Sequence, residues 1–151
     1  MNVRLGLEHW LAFSSLGLSI MFILLILSFY NFLIGPQGTG PDRFVDIQGV
    51  LIKTISISGA PSLILSGIIF GLCRQYGSKL AGLLLSVSGL VLIVGMILSI
   101  TLAYKINAEF FQISLIYVPY VFMFSGIGIL IIGIILYKKS DERILESGGP
   151  S

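Results

Sequence analysis

The chain has a single cysteine and a single histidine, and none of its four long apolar stretches carries an ionisable residue in its central part. The first shortage excludes an internal disulfide. It also leaves too few ligands for a zinc site or a cysteine-bound iron–sulfur cluster built from this chain alone, so no cofactor or metal site is expected. The second removes the groups that mark ion paths, proton relays and substrate sites at membrane depth, where a buried charge is costly and kept for function. Charged residues make up only 11% of the chain, the net charge is +2, and the basic residues stand beside the ends of the apolar stretches rather than in one patch. Nucleic-acid binding is therefore not expected. No Ser-His-Asp or Cys-His set, phosphate-cradling loop or pair of membrane carboxylates can be assembled, so the chain reads as a non-enzyme.

What is present is apolar surface. Of 151 residues, 56% are hydrophobic and the mean hydropathy is +1.02, more than a water-soluble core of this size could bury. The pattern predicts an all-α integral membrane protein of the cell membrane: four transmembrane helices over residues 10–34, 50–73, 80–104 and 113–137, in one domain over 1–137, with a polar tail over 138–151. The first stretch is too long for a signal h-region and stays bulky from Leu24 to Ile34, so it is expected to be retained. The turn-rich run from Gly35 to Asp42 forms the first loop. The six residues 74–79 join the second and third spans, which predicts a tight antiparallel hairpin. With both termini cytoplasmic, Arg4, Arg74, Lys79, Lys138, Lys139 and Arg143 lie inside and only Arg43, Lys53 and Lys105 outside, the sense of the positive-inside bias. Trp10, Tyr30, Tyr76, Tyr104 and Tyr137 fall near the span ends, where amphipathic rings straddle the interface.

Helices in lipid associate by close backbone approach, so small residues mark the packing faces. Span two has Ser58, Ser62 and Ser66 at four-residue spacing with Gly67 and Gly71. Span three has Gly82, Ser86 and Gly89, and span four has Gly126 and Gly133 a heptad apart. These ten residues are the expected helix-packing interface, and spans two to four the expected tight core. Span one reads as bulkier beyond Ser14, Ser15, Gly17 and Ser19. Pro61 and Pro119 would free the carbonyls of Ile57 and Leu115, with a nearby serine such as Ser58 expected to patch the first.

Other polar residues have bland readings. His9 with Glu8 reads as an interfacial pair, Cys73 as a packed thiol, and Asp42 and Asp46 as a weak cation site at best. Lys105 and Glu109 are spaced for a pair on a short helix. The segment from Asp141 to Glu146 reads either as an amphipathic turn or as an extension of the last helix. The expected role is a non-catalytic structural or accessory subunit of a larger membrane complex, of a respiratory, other energy-converting or metal-oxygenase type, with the lipid bilayer and other integral membrane subunits as partners. The alternatives are a small homo-oligomeric transporter or channel lined by the serine stripe, and a membrane adaptor that recruits a soluble partner through the first loop or the tail.

Overall fold

The computed structural model describes residues 6–36, 38, 40–41, 44–76 and 78–148. Among these every regular element is helical: α1 (Leu7–Ile34), α2 (Ile47–Thr54), a single π-helical turn (Ile55–Gly59), α3 (Ala60–Tyr76), α4 (Lys79–Ala103), a 3-10 turn (Ala108–Phe110) and α5 (Ser114–Ser147). Four helical stretches are long and apolar enough to cross a membrane: Leu7–Ile34, Ile47–Arg74, Lys79–Ala103 and Ser114–Arg143.

Local chemistry sets the ends. Gly35 stops α1 at a φ of 70°, and its amide reaches the Asn31 carbonyl at 3.3 Å while the Gly40 amide reaches Ile34 at 3.2 Å. Gly40 also has positive φ, 88°, a backbone state that glycine enters without steric cost. The second span starts at Ile47, earlier than the apolar run alone suggests, because the Asp46 carboxylate accepts from the Gly49 amide at 3.0 Å and caps the helix. Ser78 caps α4 in the same way, accepting from Ala81 at 3.4 Å. At the other extreme α5 has 34 residues, about 51 Å at 1.5 Å per residue, well beyond a hydrocarbon core of about 30 Å. The polar segment after Tyr137 therefore continues as helix to Ser147, and Asp141 on it pairs with Lys79 at the start of α4.

The packing differs from a core of spans two to four. α4 lies most extensively against α5, α1 lies against α4 and α3, and α3 meets α4 only slightly. The expected tight hairpin of the second and third spans is thus opened, with α1 in close contact with both. A short connection holds two helices together at one end only; along their length the complementary faces decide, and α1 offers a small-residue stripe of Ala12, Ser15 and Ser19, all buried. Contacts run in opposite order between sequence neighbours: Gly82 beside Gly133 and Gly89 beside Gly126. They run in the same order between alternate spans, with Ser19 on Ser88 and Ile23 on Gly95.

The interior is unusually polar for its surface. Ser15, Ser19, Ser58, Ser62, Ser66, Ser88 and Ser99 are buried, whereas Leu24, Leu83, Val94, Ile97, Phe124 and Ile131 face outward. Buried apolar mass gathers around Phe22 and Phe122, whose ring centroids are 4.4 Å apart over Gly59, where a Cβ would touch both rings at about 3 Å.

Candidate functional site

Two neighbouring constructions hold the bundle together. The first is a junction of five hydroxyls from three helices. The Ser19 hydroxyl lies 2.5 Å from that of Ser62 and 2.8 Å from that of Ser88, and donates to the Ser15 carbonyl at 2.9 Å. The Ser15 hydroxyl lies 2.9 Å from that of Ser66, which also reaches the Ser62 carbonyl at 2.9 Å. Each hydroxyl has one proton, and one assignment uses all five: Ser88 and Ser62 donate to Ser19, Ser19 to the Ser15 carbonyl, Ser15 to Ser66, and Ser66 to the Ser62 carbonyl. No hydroxyl in the cluster is left unpartnered, so burying it in an apolar bundle carries no orphan penalty.

The second is a seam between α4 and α5 in which glycine replaces side-chain contact with backbone contact. A Cβ on Gly89 would stand 2.6 Å from the Leu130 nitrogen and 2.7 Å from the Gly126 carbonyl oxygen; one on Gly82 would stand 2.8 Å from the Tyr137 nitrogen. A Cβ on Gly126 would meet the Gly89 carbonyl oxygen at 3.1 Å, and one on Gly133 the Ser86 nitrogen at 2.5 Å. Ser86 itself turns its hydroxyl back to the Gly82 carbonyl at 2.9 Å, which adds no bond between helices.

Of the ten residues expected to form the packing interface, Ser62 and Ser66 enter the junction and Gly82, Ser86, Gly89, Gly126 and Gly133 line the seam. Ser58 is buried and donates within its own helix, to Thr54 at 3.0 Å. Gly67 and Gly71 are exposed, and a Cβ on either would meet nothing within 4 Å. Sequence reasoning missed Ser15, Ser19 and Ser88 as partners of the stripe on span two. The signal was available in the four-residue spacing of Ser15 and Ser19, which matches that of Ser62 and Ser66.

Both prolines are accommodated. The carbonyl of Leu115, released by Pro119, receives the Tyr30 hydroxyl at 2.6 Å, and both residues are fully buried. Tyr30 is therefore a cross-bundle partner of the last span. At Pro61 the ladder widens first: the Ala60 amide reaches back five residues to Ile55, forming the π turn. The Ser58 hydroxyl goes to Thr54 instead of the Ile57 carbonyl.

The remaining candidates are scattered. His9 is buried; its Nδ1 accepts from the Gly6 amide at 3.0 Å, so its Nε2 bears the proton and donates to Ser78 at 2.8 Å. This ties the start of α1 to the cap of α4, while the Glu8 carboxylate stays 4.0 Å from Nδ1. Cys73 is buried. Asp42 and Arg43 lie outside the described residues, and Asp46 serves as a cap. Lys105 and Glu109 are both exposed and do not pair with each other. Among the described residues no group of three or more His, Cys, Asp or Glu side chains is placed to hold a metal ion. No family model, curated protein or solved structure matches the chain.

Proposed function

We propose that this chain is a non-catalytic subunit of a larger membrane complex: a multi-pass protein of the cell membrane whose four spans form an antiparallel bundle with both termini cytoplasmic. The observation that carries this reading is the closure of the serine junction. Its hydroxyls are engaged with one another across helices and with carbonyls of their own helices, so their work is to hold α1, α3 and α4 together. The outward placement of Gly67 and Gly71 leaves α3 a smooth face on the lipid side, suited to close approach by a helix of another subunit. Scaffolding of a catalytic neighbour, in a respiratory, other energy-converting or metal-oxygenase assembly, is the role that fits such a body.

The test is gentle extraction from the native membrane, native-gel separation and mass spectrometry of the band that holds this chain. Comigration with larger, cofactor-bearing polypeptides is the expected result. A homogeneous small oligomer of this chain alone would overturn the reading in favour of transport. Ser62→Ala with Ser66→Ala then tests transport, because preserved flux in this variant would exclude a lining role for these hydroxyls.

A further inference from the structure

The chain's single histidine holds a place that neither the junction nor the seam uses. His9 is buried at the start of α1, three residues after the Gly6 cap, the position from which Glu or Gln closes a capping box. Its ring does that work here. Nδ1 accepts from the Gly6 amide at 3.0 Å, and Nε2 donates at 2.8 Å to the Ser78 hydroxyl, which in turn accepts from the Ala81 amide and caps α4. The Glu8 carboxylate is folded back beside them: it stands 4.0 Å from Nδ1, and both its oxygens lie 2.7 Å from where a Cβ on Gly6 would be. Of the other titratable and charged groups at this end of the bundle, Cys73 is a buried thiol, and Arg74, Lys138, Lys139 and Arg143 are exposed cations. Lys79 and Asp141 pair with each other, and Glu142 is exposed on α5. Glu8 is the carboxylate that stands next to the ring.

We propose that His9 is a proton-operated latch on the segment that leads into α1. Nδ1 can serve the Gly6 amide only while it carries a lone pair; once protonated it is itself a donor, and two donors facing each other at 3.0 Å repel. The acceptor at hand is then the Glu8 carboxylate, which needs to close by about 1 Å to reach the length of a charge-assisted bond. The Nε2 bond to Ser78 survives, because that nitrogen donates in both states, so the ring keeps its place on α4 while the partner of Nδ1 changes. Neutral His9 clips Gly6 to the first turn of α1, and charged His9 exchanges that clip for Glu8, freeing the chain that precedes the helix. Histidine is the side chain that ordinarily changes charge between about pH 5 and 8, so modest acidification drives the exchange. The latch needs only α1 and the start of α4, and it stands whether or not the chain joins a larger complex.

The experiment is an NMR titration of the full chain in maltoside micelles from about pH 8 to about pH 5, following the His9 ring nitrogens and the Gly6 amide; with one histidine in the chain the ring signals are unambiguous. At the alkaline end Nδ1 should report a bare nitrogen and Nε2 a protonated one. As Nδ1 takes its proton, the Gly6 amide should shift with the same midpoint, and its protection against hydrogen exchange, taken relative to the intrinsic rate at each pH, should fall about threefold to tenfold, the loss of one hydrogen bond. His9→Gln keeps an acceptor for Gly6 and a donor for Ser78 but cannot titrate, so its Gly6 protection should stay constant over the whole range. Glu8→Gln should move the midpoint a few tenths of a pH unit lower, because it removes the carboxylate that receives the charged ring. Unchanged Phe22 and Phe122 signals will verify that each variant keeps its fold. Gly6 protection that holds while Nδ1 becomes protonated, an Nδ1 still bare at about pH 5, or a His9→Gln variant with the pH dependence of the parent chain would each overturn the latch.

Discussion

The serine junction and the glycine seam share α4 and solve the same problem by opposite means. In the seam, removal of side chains lets two backbones meet, and the gain comes from dispersion over a long contact. In the junction, small hydroxyls of α1, α3 and α4 join the helices with hydrogen bonds that cannot be exchanged for water within lipid. The seam depends on the absence of side chains, and the junction on the presence of its hydroxyls.

Substitutions that add volume or remove a hydroxyl should separate the two. Gly89→Leu should be the most damaging, because the new side chain meets backbone atoms of α5 at 2.6–2.7 Å that have no rotamer in which to retreat. A loss of about 3 kcal/mol or more is expected, at the upper end of overpacking costs, read as a fall in thermal midpoint and loss of the monodisperse peak in detergent. Tyr30→Phe comes next: it keeps the ring but leaves the Leu115 carbonyl without its hydroxyl partner, and a buried orphan costs about 1–3 kcal/mol. If thermal stability of that variant equals that of the parent chain, the tyrosine is dispensable as a patch for Pro119.

Ser19→Ala removes the centre of the junction, and about 0.6–1.7 kcal/mol is expected from measured hydrogen bonds between membrane helices. Ser19→Ala combined with Ser62→Ala should cost less than the sum of the singles, since the two hydroxyls bond each other; strict additivity in a double-mutant cycle would argue against a connected network. Smallest of all should be Gly67→Ala with Gly71→Ala, where nothing lies within 4 Å. The isolated chain should be unchanged or slightly stabilised, because alanine favours helix over glycine. The same pair should weaken comigration with partner polypeptides if α3 presents its outer face to another subunit.

The four long helices were legible because hydropathy is a one-dimensional signal: each span can be read by itself, and the observed ends fall within a few residues of the expected ones except where α5 runs on. The seam was half-legible, since Gly82, Gly89, Gly126 and Gly133 announce close approach without naming their partners. The junction was least legible. Span one looked bulky because Leu24 to Ile34 dominate its composition, yet the four residues that matter, Ala12, Ser15, Ser19 and Phe22, occupy one narrow stripe. Gly67 and Gly71 carry the same signature as the seam glycines and face outward, because a small-residue motif states what a helix can tolerate and not what stands opposite it.

By itself, then, the sequence determined the number of apolar helices, their approximate ends and the lack of charged residues in the middle of each. These follow from residue type and spacing along one chain, and they hold in any arrangement of the helices. Only the tertiary structure decided that α1 makes the polar contacts with α3 and α4, that Tyr30 serves the carbonyl released by Pro119 85 positions away, and that His9 reaches the cap of α4. The reason is geometric. Each helix presents several faces of similar small-residue content, and the choice among them depends on which faces fit together at once, a property of the set that no single span contains.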